Sequence, residues 1–243
     1  MIYHTQKGQV SSGEAIGILL LDSPVPFIPG DVANATTYSF PVRFQKVENF
    51  SVNRAIGQDT TVYDNLLHAA RSLVQQGVRA VTGDCGFMGI HQPRLARELH
   101  VPVFLSSLIQ IPFISCILGG EAKLGVITAD ATQVTDDLLN AVGVSDSSNL
   151  VIGGLQDQRN FHEFAIEESG FLDADAVEAE VVGVAKRLVA GGPNIRAILL
   201  ECSLLPPYAA AVQEAVNLPV FDYITMINFV FSAVVKQRYR GFM

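Results

Sequence analysis

The 243-residue sequence has no tryptophan, only three cysteines and little charge, with Asp, Glu, Lys and Arg making up 16% of it. Cysteines at 85, 116 and 202 are too few, and odd in number, for the disulfide framework of a secreted scaffold, so a reducing cytoplasm is the expected setting. Basic clusters are also missing. With 16 basic against 24 acidic side chains the net charge is −8, which offers nucleic acid or an anionic membrane surface no foothold. Residues 1–13 are polar and lack the apolar stretch of a signal peptide. The one long uncharged run, 101–120, is broken by Pro102, Gln110, Pro112 and three serines, and is expected to be soluble core rather than a membrane span. The five histidines, at 4, 68, 91, 100 and 162, never fall at a metal-ligand spacing, and no Cys-x-x-Cys occurs. Gly83, Gly86 and Gly89 have the wrong spacing for a dinucleotide loop. Neither a metal nor a cofactor is therefore expected. What the chain does have is 49% apolar residues, enough for a sizeable core and too many for disorder. Work on a small molecule is the class left standing.

Sliding the sequence against itself reveals a duplication. RAVTGDC at 79–85 matches RAILLEC at 196–202, an offset of 117, and VPVF at 101–104 matches LPVF at 218–221 at the same offset. IGILLLD at 16–22 matches LGVITAD at 124–130 at an offset of 108. Short apolar runs bounded by Gly, Asp or Pro predict buried strands at 16–22, 79–83, 102–105, 124–129, 195–200 and 219–221, with another near 42–47. Val62, Leu66, Ala70 and Leu73 share one helical face after an Asp59 cap, and Val177, Val181, Ala185 and Leu188 repeat it.

Strands alternating with helices predict an α/β protein of two pseudo-symmetric lobes, each a parallel sheet flanked by helices. The first lobe is placed at 1–106 together with a C-terminal helix in 222–243, and the second at 107–221. The apolar stretch 223–235 is expected to be helical, to end in a basic turn at 236–240, and to offer apolar surface to a second copy in a homo-oligomer, a dimer or higher. Ligands of parallel sheets bind beyond the carboxyl ends of the strands, where Cys85 and Cys202 both fall. The cleft between the lobes is the expected active site.

Two thiols flanking one carbon supply an acid on one face and a base on the other, without a cofactor. A free thiol is only slightly ionised at neutral pH, so the turns following each cysteine are expected to help with their N–H groups. The cysteine after a buried strand in each half, the pair Asp22–Ser23 ending the first strand, and LECSLLPPY at 200–208 resemble the aspartate/glutamate/hydantoin racemase superfamily. That resemblance implies a cofactor-independent racemase or epimerase of a small amino-acid-like or carboxylate substrate. It implies Cys85 and Cys202 as the catalytic pair, with Asp22, Ser23, Thr128 and Thr132 at the ends of the lobes' first strands. Gly86, Phe87 and Ser203 stand beside the cysteines where amino-acid racemases of this group carry Asn-Thr and Thr-His, so the pocket wall is more apolar than theirs. The alternatives are an enzyme resembling arylmalonate decarboxylase or maleate isomerase, and a small-molecule binding protein without catalysis.

Several residues carry weaker expectations. Asp84 and Glu201 precede the cysteines, and strand alternation predicts that they face away from the cleft. Cys116, lacking a repeat partner, is expected in the core, and His91 at an exposed helix start. The Pro-rich stretch 23–50 has the composition of a covering loop, with Asn34, Thr36 and Thr37 as candidate contacts and Arg43 as a candidate carboxylate partner.

Overall fold

Apolar runs of two to six residues are too short for self-standing helices but fill the middle of a sheet covered on both faces. In the computed structural model, which describes residues 2–192 and 194–243, they form two four-stranded, wholly parallel sheets. The first is built from β1 (Ile16–Leu20), β2 (Val42–Lys46), β3 (Ala80–Gly83) and β4 (Val103–Phe104), in the order β2-β1-β3-β4. The second uses β5 (Lys123–Thr128), β6 (Leu150–Gly154), β7 (Ile195–Leu200) and β8 (Val220–Phe221), in the order β6-β5-β7-β8. The identical order makes the two lobes structural repeats. Strand β6 is the one strand the apolar pattern does not predict, because LVIGG is short, half-buried and ends in two glycines.

Helices cover both sheets: α1 (Val52–Ile56), α2 (Tyr63–Gln75), α3 (Gln92–Glu98), α4 (Ile111–Leu118), α5 (Asp136–Ala141), α6 (Arg159–Phe161), α7 (Ala174–Gly191), α8 (Ala209–Val216) and α9 (Tyr223–Val234). The predicted faces are the buried ones: Leu66, Ala70 and Leu73 of α2, and Val177, Val181 and Ala185 of α7. Asp59 caps the short turn feeding α2, accepting from the Thr61 N–H at 2.8 Å. Helix α9 returns to the first lobe, where Tyr223, Met226 and Ile227 pack with Ile16, Ile18 and Phe104. It stops at Val234, so residues 236–240 do not form its basic last turn. Cys116 is exposed, not in the core. Helix α4 buries Ile111 and Ile114, and a residue two places beyond Ile114 falls on the opposite side of a helix with 3.6 residues per turn.

Contacts between the lobes fix their strand ends around a common space. Where the chain leaves β4 of the first sheet, the Ser107 hydroxyl, at the start of the second lobe, lies within hydrogen-bond reach of the Leu200 and Glu201 carbonyls beyond β7, at 3.1 and 3.0 Å. The Ser203 hydroxyl donates to the Asp84 carbonyl, and the Val32 N–H to the Ser203 carbonyl at 3.4 Å. Gly30, with φ +102°, lies so close to Pro207 that a Cβ would sit 2.9 Å from its Cα, which seats the loop between β1 and β2 on the second lobe. Elsewhere Gln58 bridges the lobes through the Gln133 carbonyl (2.6 Å) and the Thr135 hydroxyl (3.1 Å).

Candidate active site

Strands β3 and β7 end at Gly83 and Leu200, and each chain continues through an acid and a cysteine before turning. Both cysteines line one cavity of about 40 Å³, room for a few water molecules. Its polar wall is Ser23, Asp84, Cys85, Glu201, Cys202 and Ser203, and its apolar wall includes Val25, Phe27, Val52, Ile56, Phe87 and Ile166. No Lys, Arg or His lies among the described residues that line it. A larger concavity of about 790 Å³ opens elsewhere, around Ser115, Lys123, Asn149 and Asn194, and holds neither of these thiols.

The turn from Gly86 to His91 begins on Cys85, and the N–H groups of Phe87 and Met88 reach the Cys85 sulfur. Cys202 receives one such contact, from the Leu204 N–H. Both thiols are half-buried, and desolvation followed by the negative charge of Glu201 pushes each of them up from its ordinary value. They are close enough that the charge of Cys85 also raises Cys202. In the resting pocket both are therefore protonated, and the N–H contacts offset only part of the cost of a thiolate.

Asp84 and Glu201 do not face away from the cavity. The backbone is still extended at Cys85 (φ −152°), and ladder hydrogen bonds run on to both acids, but the cavity lies past the strand ends and takes in acid and cysteine alike. Both Asp84 oxygens lie within reach of the Leu21 N–H, at 3.1 and 3.2 Å. Glu201 accepts from the Thr128 hydroxyl at 2.8 Å. Burial raises Asp84 to about 8 and Glu201 to about 7, and lifts a third acid, Asp31, to about 7.

Of the other expected residues, Ser23, Gly86, Phe87 and Ser203 line the cavity. Thr128 is fully buried and reaches it only through Glu201. Asp22 is exposed and pairs with Lys46 at 3.4 Å, outside the cavity. Thr132 is exposed and bonded to Asp130, whose carboxylate takes up its hydroxyl. Arg43 is held by Glu14 at 2.8 Å and by Gln76, near the start of β2, while the cavity lies beyond the opposite ends of the strands. Asn34, Thr36 and Thr37 shape the covering loop rather than the cavity: Asn34 donates to the Phe27 carbonyl at 2.9 Å, and Thr37 to the Asp31 carbonyl at 2.7 Å. His91 is buried against Phe50 and Tyr63, and desolvation lowers it to about 4. Sequence reasoning missed Val52 and Ile56 on one face of α1, and Ala165 and Ile166 in the π-turn His162–Ile166. The Ser51 cap before an apolar i, i+4 pair was the available signal for the first two.

The three raised acids take up protons on folding. Their stabilisation is full below the unfolded value of about 4 and is lost as pH rises through 7 to 8. His91 works the other way, and its share is lost as pH falls from about 6.5 toward 4. Three acids outweigh one histidine, so the ligand-free protein should melt at its highest temperature near pH 4, and at least on the order of 10 °C lower at pH 8.5. Calorimetric Tm values across that range check this, and a Tm that climbs to pH 8.5 contradicts it.

No family model matches the chain. Its sequence is similar to a dimethylsulfoniopropionate lyase of Durusdinium sp. clade D, 31% identical over 222 residues that cover 88% of this chain and 73% of the relative. It is also similar to dimethylsulfoniopropionate lyase 5 of Emiliania huxleyi (strain CCMP1516), 32% identical over 90% of this chain, which spans only 45% of that protein. Among solved structures, unliganded arylmalonate decarboxylase superposes with a TM-score of 0.58 at 16% identity, covering 93% of this chain and 94% of the other. A glutamate racemase from Bacillus anthracis does so at 0.58 and 12%, covering 90% and 82%. At these identities the structures show a shared fold, the one expected from the racemase resemblance.

Proposed function

Because this chain belongs to the dimethylsulfoniopropionate lyase family, we propose that it cleaves a sulfonium-bearing propionate by β-elimination. The observation that carries the proposal is a single small, largely apolar pocket holding both thiols and no cationic side chain. Such a pocket suits a substrate that brings its own positive charge. The bond to be broken lies one carbon from an acidic C–H, so a lyase here needs a base and no redox partner.

The base is Cys85, whose sulfur receives two backbone N–H groups where Cys202 receives one. A sulfonium cation entering the pocket favours the thiolate, as an opposite charge within a few ångströms does. The Cys85 thiolate takes the proton from Cα, and that electron pair becomes the Cα=Cβ bond. The Cβ–S bond breaks with its pair remaining on sulfur, which leaves as neutral dimethyl sulfide, with acrylate as the second product. The original Cys85 proton passes to water as the cation enters, and the proton taken from Cα restores the thiol of the resting enzyme, so one proton is released per turnover. Cys202 donates its S–H to the substrate carboxylate, where charge accumulates as Cα is deprotonated.

The racemase reading draws on the same two thiols, and one experiment separates the two. Incubated with dimethylsulfoniopropionate, the protein should release dimethyl sulfide and acrylate in equal amounts, read by gas chromatography and NMR. If no sulfide forms while deuterium from D2O enters the α-carbon of an amino acid or hydantoin with loss of handedness, the lyase proposal falls and the isomerase stands.

A further inference from the structure

Glu201 is 0% exposed, yet only one of its carboxyl oxygens is held. Oε2 accepts from Thr128 and the Ala129 N–H also approaches the carboxyl, while Oε1 has no hydrogen-bond partner among the described residues. Leaving a buried acceptor unmet costs about 1–3 kcal/mol, and more when the group is charged. Asp84, the other acid of the cavity, differs in that both of its oxygens lie within reach of Leu21 N–H. Glu201 lines the cavity together with the rings of Phe27 and Phe87, and no side-chain cation is there to neutralise it. An unmet carboxyl oxygen, two aromatic rings and apolar walls form the surroundings that hold a methylated onium ion, which has charge but no N–H or O–H to donate.

We infer that Glu201 is the seat for the positive charge of the substrate, so that the site selects onium-bearing carboxylates over neutral molecules of the same shape. The inference rests on the lyase proposal only in taking the onium group to be the one that departs. Glu201 acts here as a binding residue. The positive charge disappears as the C–S bond breaks, so the attraction is strongest before reaction and absent once neutral sulfide has formed. Its loss should raise KM far more than it lowers kcat.

The test uses two unreactive isosteres, 3-(trimethylammonio)propanoate and the uncharged-tail 4,4-dimethylpentanoate, titrated calorimetrically into the intact protein. The wild type should bind the cationic ligand about 30-fold more tightly, and Glu201→Gln, whose amide keeps a partner for Thr128, should bind the two within about threefold. Asp84→Asn should keep the preference. No preference in the wild type, or an undiminished one in Glu201→Gln, overturns the assignment. Neither ligand has to be cleaved. A protein with the preference that releases no dimethyl sulfide upholds Glu201 and fails the lyase proposal, and one that cleaves without the preference does the reverse.

Discussion

Cys85→Ser should lower kcat for dimethyl sulfide release by about 10³-fold, because a serine hydroxyl in the same pocket stays protonated at any working pH and a positioned base contributes about 10²–10⁴-fold. The two N–H groups that reach the sulfur would meet the serine oxygen as well, so Tm should barely move. Cys202→Ser keeps an O–H in place of the S–H, and its loss should be the smaller one, about 10- to 100-fold. Steady-state acrylate release by the two variants measures both values. If Cys202→Ser is the more damaged, the base belongs on the other lobe. If neither loses activity, thiol chemistry is absent from the reaction.

The second large effect is steric. A Cβ on Gly86 would lie 1.5 Å from Glu201 Oε1 and 2.9 Å from the Glu201 carbonyl oxygen. No side chain fits there while both lobes keep their positions. Gly86→Ala should therefore drive the Glu201 carboxylate out of place, costing about 1–3 kcal/mol of stability, a Tm several degrees lower, and at least about 10²-fold in kcat/KM. Adding Glu201→Ala removes the colliding carboxylate and should restore much of the Tm without restoring kcat/KM. Wild-type kinetics in Gly86→Ala would show that the turn has slack at this position.

Duplication makes much of this fold legible in the sequence. The matched cysteines, the strands that precede them and the paired faces of α2 and α7 all followed from periodicity and from two offsets. The same arithmetic held strand β6 in reserve: Leu150 lies 108 residues after Val42, as Leu124 does after Ile16, and both pairs are in register in their sheets. Composition hid it, since Gly153 and Gly154 mimic a turn. The directions of Asp84 and Glu201 were illegible for a different reason. Alternation separates the two sides of a sheet, but the cavity sits past the sheet's end, where residues from either side reach it. Arg43 and Asp22 misled because a charged residue in a plausible segment looks the same whether it meets a ligand or a neighbour such as Glu14 or Lys46. The burial of His91 depends on Phe50 and Tyr63, contributed by segments remote from it in the chain.

The thiols and acids ride on the ends of the innermost strands β3 and β7, whereas Val25, Phe27, Val52, Ile56, Ala165 and Ile166 belong to three separate connecting segments. Reactive groups and enclosing surface are thus inherited from different parts of the chain. A descendant can exchange one clientele for another by rewriting the connectors alone, leaving the sulfur pair untouched.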